Sequence, residues 1–288
     1  MKVTVGMPVY NRPVELRRAI ESILAQTYKE IEVVISNNCS PNAEVDLVIK
    51  EYMNADKRIH YFYQDKPLRV IDNFRFVLAN ATGDYFVFLA DDDWFDKDYI
   101  EKCVAFLQNN SDYSLACGSC SYHDEDAVLI DNENLVSITD NNIFNRVKYY
   151  YKHVRFNGYF YSLRKTELSK KIELRDKMAF DWLYLAALVY SGKVKVLEDT
   201  AMHITKGGMS TDVVEMNRNI GANTIISRNL IGLTIAYNAF EDIFQQKIYS
   251  MSSIPKFIFS VKIFFAVYTK TFMWDVLFLK NKILRRKK

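Results

Sequence analysis

The chain has 288 residues and 33.7 kDa, with 49% hydrophobic, 14% aromatic and 25% charged residues, a composition that supplies a packed core and excludes a disordered chain. Its formal net charge of +3 is too small for wholesale nucleic-acid binding, so no nucleic-acid partner is expected. The charge is unevenly placed, however: residues 254–288 hold nine Lys and Arg against the single acid Asp275, a net of +8, leaving −5 for the rest.

Val3 to Val9 is short, β-branched and interrupted by Pro8, which predicts a buried first strand. A helix follows from Pro13, with Leu16, Ile20, Ile23 and Leu24 at helical spacing. Ile31 to Ile35 reads as the second strand, SNNCSPN as a turn, Val45 to Met53 as a helix and Ile59 to Tyr63 as the third strand. Val70 to Ala81 is helical, and Tyr85 to Leu89 is a continuous apolar strand that runs into ADDDW. Strands alternating with helices predict an α/β fold with a parallel sheet and helices on both faces, and ligands bind beyond the carboxyl ends of such strands.

The second half is less legible. A polar stretch around Asp131 to Asn145 precedes a run dense in Tyr, Phe, Arg and Lys up to Lys165, and helices are predicted over Met178–Tyr190 and Asn219–Phe244. Cys39, Cys103, Cys117 and Cys120 read as ordinary thiols, because CGSC has only His123 nearby as a further ligand, and so few cysteines suit a reducing compartment. The N-terminal residues show no cleavage site, and no segment reaches about 18 uncharged apolar residues, so a cytoplasmic chain with neither signal peptide nor spanning helix is expected.

Asp91, Asp92 and Asp93 follow directly on a buried apolar strand. Three adjacent carboxylates repel one another, and a divalent cation relieves that repulsion; a solvated acidic turn capping the next helix explains one or two such residues better than three. All-oxygen ligation points to Mg²⁺ or Mn²⁺, which travels with substrate phosphates. Among phosphate chemistries, neither a G-x-x-x-x-G-K-[ST] run nor a dinucleotide fingerprint is present. The haloacid dehalogenase pattern D-x-D-x-[TV] fails at Phe95, and PVYNRP stands where a sugar-phosphate nucleotidylyltransferase has a glycine-rich loop.

PVYN at Pro8 to Asn11, Asn37 and Asn38 with Ser40, ATGDYFVFLADDD at Ala81 to Asp93, and FDW at Phe180 to Trp182 occur in an order and spacing that resemble family 2 glycosyltransferases over about residues 1–212. The resemblance implies a GT-A fold: a Rossmann-like, mostly parallel sheet flanked by helices, with a nucleotide-sugar-binding and catalytic domain over 1–215 and a helical C-terminal region over 216–288. It implies inverting transfer of a sugar from a nucleoside-diphosphate donor. Pro8, Tyr10, Asn11 and Arg12 match the loop that lines the base and diphosphate. Asn37 and Asn38 fall where an acid pair reads the base; as amides they leave the nucleotide open. Asn73 matches a polar position near the nucleotide. The family's Asp-x-Asp maps onto Ala90-Asp91-Asp92, with the first acid missing; Asp91 would hold the ribose, Asp92 would bind the metal, and Asp93 would orient the donor sugar or support the cation. Asp181 matches the general base, with Trp182 beside it either stacking on a sugar or packing. His203, ahead of KGGMS, resembles a late histidine that completes the metal site or meets phosphate, and Lys206 and Ser210 are weaker candidates.

Aromatic residues interleaved with Lys and Arg over 255–288 predict a membrane-interface segment, at the inner face of the cell membrane, suited to a lipid-linked or surface-polysaccharide acceptor. Ala90, Asn37 and Asn38, standing where acids are usual, also motivate a catalytically silent nucleotide-sugar-binding or scaffold subunit as the alternative.

Overall fold

A computed structural model describes residues 1–154, 158–206, 227 and 229–285, with side chains to residue 280. Ser210, most of the KGGMS loop, the expected boundary at residue 215 and the first part of the Asn219–Phe244 helix lie outside the described residues. The chain forms two compact units that interleave in sequence. The first comprises Met1–Thr139, Phe156–Lys171 and Gly192–Gly208; the second comprises Asp140–Arg155, Ile172–Ser191 and Met209–Lys288.

The first unit is built on one sheet. Strands β1 (Val3–Val9), β2 (Ile31–Asn37), β3 (Ile59–Tyr63) and β4 (Tyr85–Phe88) alternate with helices α1 (Pro13–Leu24), α2 (Ala43–Ala55) and α3 (Val70–Ala79), as the periodicity predicts. The apolar β-branched runs Val3–Val9 and Ile31–Asn37 are almost wholly buried, as strands covered on both faces must be. Their order is β3-β2-β1-β4, all parallel, so the chain winds one way from β1 and then returns to its other side with β4. That reversal opens a crevice between the carboxyl ends of β1 and β4. Pairing of β1 with β4 ends at Gly6 opposite Phe88, while pairing with β2 runs on to Val9 opposite Asn37. Pro8, which has no N–H to give a ladder, therefore sits beyond the last β4 pair.

Beyond β4 the sheet becomes mixed. It continues β4-β8-β6-β9-β5, where β5 is Trp94–Phe95, β6 Tyr113–His123, β8 Leu163–Lys165 and β9 Lys193–Thr205; β7 (Leu129–Glu133) pairs with β6. The β4–β8, β6–β8, β6–β7 and β5–β9 pairs are antiparallel, and β6–β9 is parallel. Strand alternation alone predicts a more uniformly parallel sheet. A three-residue strand, Leu-Arg-Lys, carries too little periodicity to announce itself. Helices α4 (Tyr99–Asn109) and α6 (Thr166–Lys171) and a short 3-10 helix, Gly158–Tyr161, complete the unit. Cys39, Cys103, Cys117 and Cys120 are free thiols, as read from the sequence.

The second unit is helical: α5 (Ile143–His153), α7 (Phe180–Ser191), α8 (Ile231–Gln245) and the 33-residue α9 (Ser253–Arg285). Arg146 is buried and donates to the backbone carbonyls of Asp140, Asn141, Val189 and Tyr190, which ties α5 to α7. Helix α9 presents Phe259, Ile263, Val267, Thr271 and Asp275, four residues apart, as its buried stripe. Asp275 accepts the backbone N–H groups of Gly232 (2.7 Å) and Leu233 (3.0 Å), so a carboxylate on one helix caps the start of the other. A Cβ at Gly232 would meet the Thr271 carbonyl oxygen at 2.4 Å, which is why the close approach needs glycine. Residues Ser253–Lys280 are long and apolar enough to cross a membrane by length and composition, so the expectation that no segment reaches that threshold is corrected: it required an unbroken uncharged run, and interspersed lysines do not prevent the helix from qualifying. Asp275→Ala should lower stability by about 1–3 kcal/mol through two orphaned N–H groups, and Gly232→Ala should act in the same direction; a thermal melt unchanged in both variants would contradict this account of the α8–α9 contact.

Candidate functional site

The crevice at the carboxyl ends of β1 and β4 gathers the acids and the PVYN loop. Beyond Val9 the chain turns at Asn11, whose φ of 63° is the left-handed conformation that Asn tolerates better than most residues. Its N–H donates to Ser40 Oγ at 3.0 Å, and its Oδ1 accepts from the Asn42 N–H at 3.2 Å, which fixes the PVYN turn to the loop after β2. Pro13 then starts α1, with Arg12 immediately before it.

Asp91, Asp92 and Asp93 are all buried despite their charge. Asp91 Oδ2 accepts the Tyr10 N–H at 2.7 Å. The Arg12 guanidinium pairs with Asp92 Oδ2 and lies 3.7 Å from Asp91 Oδ1. Asp93 Oδ1 accepts the Thr205 N–H at 2.8 Å, and Tyr161 donates its hydroxyl to Asp93 Oδ2. Arg18 donates to the Asp92 carbonyl (2.9 Å) and to Thr205 Oγ1 (3.0 Å), and its guanidinium lies 3.9 Å over the Trp94 ring. Thr205 Oγ1 closes the set by donating to the same Asp92 carbonyl at 2.6 Å.

Burial, and then the Asp92 charge, pushes the Asp91 carboxyl up to about 7. The same two causes raise Asp93 well above the usual carboxylate range, and burial raises Asp92. Burial thus favours the protonated carboxyls where little water reaches them, and Arg12 is the cation set against the outward edge of the cluster.

Asp93 has both oxygens bonded to Thr205 and Tyr161, which ties it to the fold and leaves one lone pair on each oxygen. Asp91 Oδ1 and Asp92 Oδ2 face the Arg12 guanidinium, so a positive group already fits there. Among the described residues no three His, Cys, Asp or Glu side chains assemble into a metal site, so a cation here would take one or two carboxylate oxygens and complete its shell with phosphates.

The structure does not bring His203 to Asp92 and Asp93 as one ligand set. Its Nε2 pairs with Asp96 Oδ1 at 3.0 Å, its Nδ1 with His123 Nε2 at 3.1 Å, and its ring stacks on Trp94 with centroids 5.1 Å apart. Ligating a cation would require giving up one of those bonds. The base-side amides are likewise engaged. Asn38 clasps the Leu68 backbone, its Nδ2 donating to the carbonyl at 3.0 Å and its Oδ1 accepting the N–H at 2.7 Å. Asn37 Oδ1 accepts the Ser40 N–H and its Nδ2 donates to Tyr61 Oη at 3.1 Å, leaving one N–H and one lone pair uncommitted by these two bonds. Asn73 is buried and bonded through both amide atoms to Ser36, holding α3 against β2. Tyr10 is exposed at the crevice mouth. Lys206 Nζ lies over the Tyr122 ring and 3.7 Å from Asp131.

Asp181 is the second residue of α7, in the second unit. Trp182 beside it is buried, with its ring 6.3 Å from Trp274 and the Lys270 ammonium 4.7 Å above it, so of the two roles expected for Trp182 the structure shows packing. Arg18, Trp94, Tyr161 and Thr205 are the members of the acid cluster that sequence reasoning missed. Arg18, Trp94 and Thr205 adjoin segments already singled out, Thr205 arriving through the pairing of β9 with β5, whereas nothing local marks Tyr161, which arrives through the 3-10 helix before β8.

The sequence model described as Glycosyl transferase family 2 matches residues 4–173. The chain belongs to glycosyltransferase family 2. It is 41% identical over 101 residues to the Streptococcus pneumoniae serotype 4 protein named glycosyltransferase GlyA, covering 35% of this chain and 14% of that protein. It is 30% identical over 109 residues to Bacillus subtilis TuaG, a putative teichuronic acid biosynthesis glycosyltransferase, covering 38% of this chain and 43% of that one. The matched segments therefore span less than half of these relatives. Among solved structures, S. aureus TarS 1–349 superposes with a TM-score of 0.65 at 18% identity, over 95% of this chain and 72% of that one. TarS 1–349 in complex with UDP-GlcNAc gives the same TM-score at 17% identity, over 93% and 73%. The fold is GT-A, a mixed sheet flanked by helices.

In nucleotide-free protein, an Asp91 carboxyl held near 7 binds its proton more tightly folded than unfolded. Its stabilising contribution is full below the unfolded pKa and is lost as pH rises through about 7, so stability falls across that window. Asp91→Asn keeps an oxygen for the Tyr10 N–H and removes the titration. Its melting temperature should vary less than wild type between about pH 5 and about pH 8, with an advantage of about 1–4 kcal/mol at the upper end; parallel profiles would contradict the burial argument.

Proposed function

We propose that this chain is a cation-dependent inverting glycosyltransferase that moves a sugar from a nucleoside-diphosphate sugar to a hydroxyl of a lipid-linked or surface-polysaccharide acceptor. The observation that carries the reading is the tethering of Asp91 and Asp92, after β4, to Tyr10 and Arg12, after β1, at the sheet's topological switch point. Family membership supplies the class of reaction. The TarS complex with UDP-GlcNAc and the name of TuaG supply the neighbouring chemistry, and support a nucleotide-sugar donor and a cell-envelope polymer acceptor for this chain as well.

In this reading the PVYN turn and Asn37 line the nucleoside, with Asn38 and Asn73 holding the ends of the strands that shape its pocket. Asp91 faces the ribose, and Asp92 supplies the carboxylate for Mg²⁺ or Mn²⁺. When bound, that cation supplies charge neutralisation on the leaving diphosphate. Arg12 leaves Asp92 for the phosphates as the donor arrives, since a guanidinium recognises phosphate oxygens as well as carboxylate. Asp93, fixed by Thr205 and Tyr161, keeps the turn rigid beneath them. His203 stands with Asp96 and His123 at the end of β9. Asp181 is proposed as the base that takes the acceptor hydroxyl's proton, a role carried by the family resemblance. The protein works in the cytoplasm at the inner face of the cell membrane, held there by its basic aromatic C-terminal segment.

The test is release of nucleoside diphosphate from a panel of nucleotide sugars with the membrane lipid fraction as acceptor source. Asp92→Asn should lower cation-dependent turnover by at least about 100-fold. Asp181→Asn should lower turnover by about 100-fold or more while donor binding persists. Unchanged turnover in Asp181→Asn would remove the base assignment; a protein that binds donors and never turns over would favour the silent-subunit alternative.

A further inference from the structure

We propose that α8 and α9 together form a face that lies on an anionic lipid bilayer, along its surface and not through it. This deepens the membrane placement proposed above and does not depend on the sugar chemistry. In the sequence, lysines interrupt the apolar tail at nearly every second turn; in the structure Lys262 and Lys270 turn toward α5 and its end, and Lys256 toward the end of α8. Phe257, Val261, Phe264, Tyr268 and Phe272 recur at three- and four-residue spacing along one side of α9. Helix α8 extends that side with Tyr237, Phe240 and Phe244. Phe240 lies 5.9 Å and Phe244 6.4 Å from Phe257 between ring centroids, and Tyr237, Phe244, Phe257, Phe265 and Phe272 are each between 46% and 59% exposed. Tyr237, Phe240, Val261, Phe264 and Phe265 line an apolar groove of about 320 Å³. Exposed rings concentrated to this degree mark a surface that meets something apolar.

Charge identifies what that is. Lys256 donates to the Gln246 carbonyl at the end of α8 and Lys270 to the carbonyls of Tyr151 and Val154, so these two are held by the protein, whereas the exposed Lys262 has its ammonium 5.4 Å over the Phe144 ring of α5. On that side a second groove, of about 430 Å³, is lined by Lys148, Lys152, Ala266, Thr269 and Lys270. The exposed face of α9 is thus bordered by aromatic rings toward α8 and by the exposed Lys148, Lys152 and Lys262 toward α5. Rings at the acyl boundary with cations at the phosphates is the arrangement that suits an anionic membrane surface. Asp275 argues against spanning: its carboxylate binds the start of α8, and a crossing α9 would carry that buried acid, and the helix it caps, into hydrocarbon.

The experiment is flotation of the full chain with vesicles of phosphatidylcholine alone, or containing about 30 mol% phosphatidylglycerol, which supplies the negative surface potential. Tyr237→Glu with Phe244→Glu tests the ring side, and Lys148→Glu with Lys152→Glu tests the basic side; all four side chains are exposed, and circular dichroism checks that the variants fold. Wild type should float with the anionic vesicles only, come off in alkaline carbonate, and lose at least about tenfold in bound fraction in either variant. Wild-type binding by the ring variant would overturn the two-helix face while leaving a tail-based membrane placement standing. Retention in carbonate would overturn the surface orientation, and absence of wild-type flotation would overturn both.

Discussion

Asp91, Asp92 and Asp93 are buried side by side at the end of β4, and much of the first unit is arranged so that these carboxyl groups can be kept there. Burying a carboxylate without a partner is expensive, and burying three that repel one another is more so. The fold answers with a guanidinium on the outer edge from Arg12, a backbone N–H from Tyr10, and a hydroxyl and a second N–H from Tyr161 and Thr205. Those donors come from β1, from the 3-10 helix before β8, and from β9. The sheet order follows the same need, because β1 beside β4 brings Tyr10 and Arg12 to the acids, and β9 beside β5 brings Thr205.

The cluster divides into a fixed part and an exchangeable part. Asp93 is held on both oxygens by groups of the fold, whereas Asp91 and Asp92 offer their outer oxygens to a guanidinium on a side chain one third exposed. An arginine at the mouth of a crevice can trade carboxylate for phosphate at small cost, since both are oxyanions it can meet in bidentate fashion. A site of this kind stores its acids against Arg12 when empty and has them available when a diphosphate and its cation arrive. The pKa of Asp91, pushed up to about 7 by burial, is the electrostatic counterpart of that poised state.

The sequence made the first half of the fold legible because its strands are continuous apolar runs and its helices are periodic, with Pro13 opening α1 and Asn42 capping α2. The acids were found for the same reason, since they follow directly on an apolar strand, whereas Pro8, Tyr10 and Arg12 were found through the family resemblance. Long-range pairing was not legible. The antiparallel insertion of β8 between β4 and β6 rests on three residues, and the parallel β6–β9 pair joins segments about 80 residues apart, so neither leaves a local trace. Asn38 and Asn73 were visible as polar positions, but only the structure shows their amides spent on Leu68 and Ser36. His203 was visible as a lone late histidine, and its partners Asp96 and His123 were not, because they meet it across strands. In the tail, composition gave the rings and the lysines, while the placement of Phe257 against α8 and of Lys262 against α5 appears only once those helices are in place beside α9.

The measurement that bears most directly on the central claim is calorimetric titration of UDP, CDP, dTDP and GDP, each with Mn²⁺ and with EDTA, into wild type and Asp92→Ala. Tight binding of one nucleotide, dependent on the cation and lost in the variant, is the predicted result, and it would also name the donor's nucleotide. Equal binding with EDTA, or binding undiminished in Asp92→Ala, would contradict the assignment of the acid cluster to the donor diphosphate.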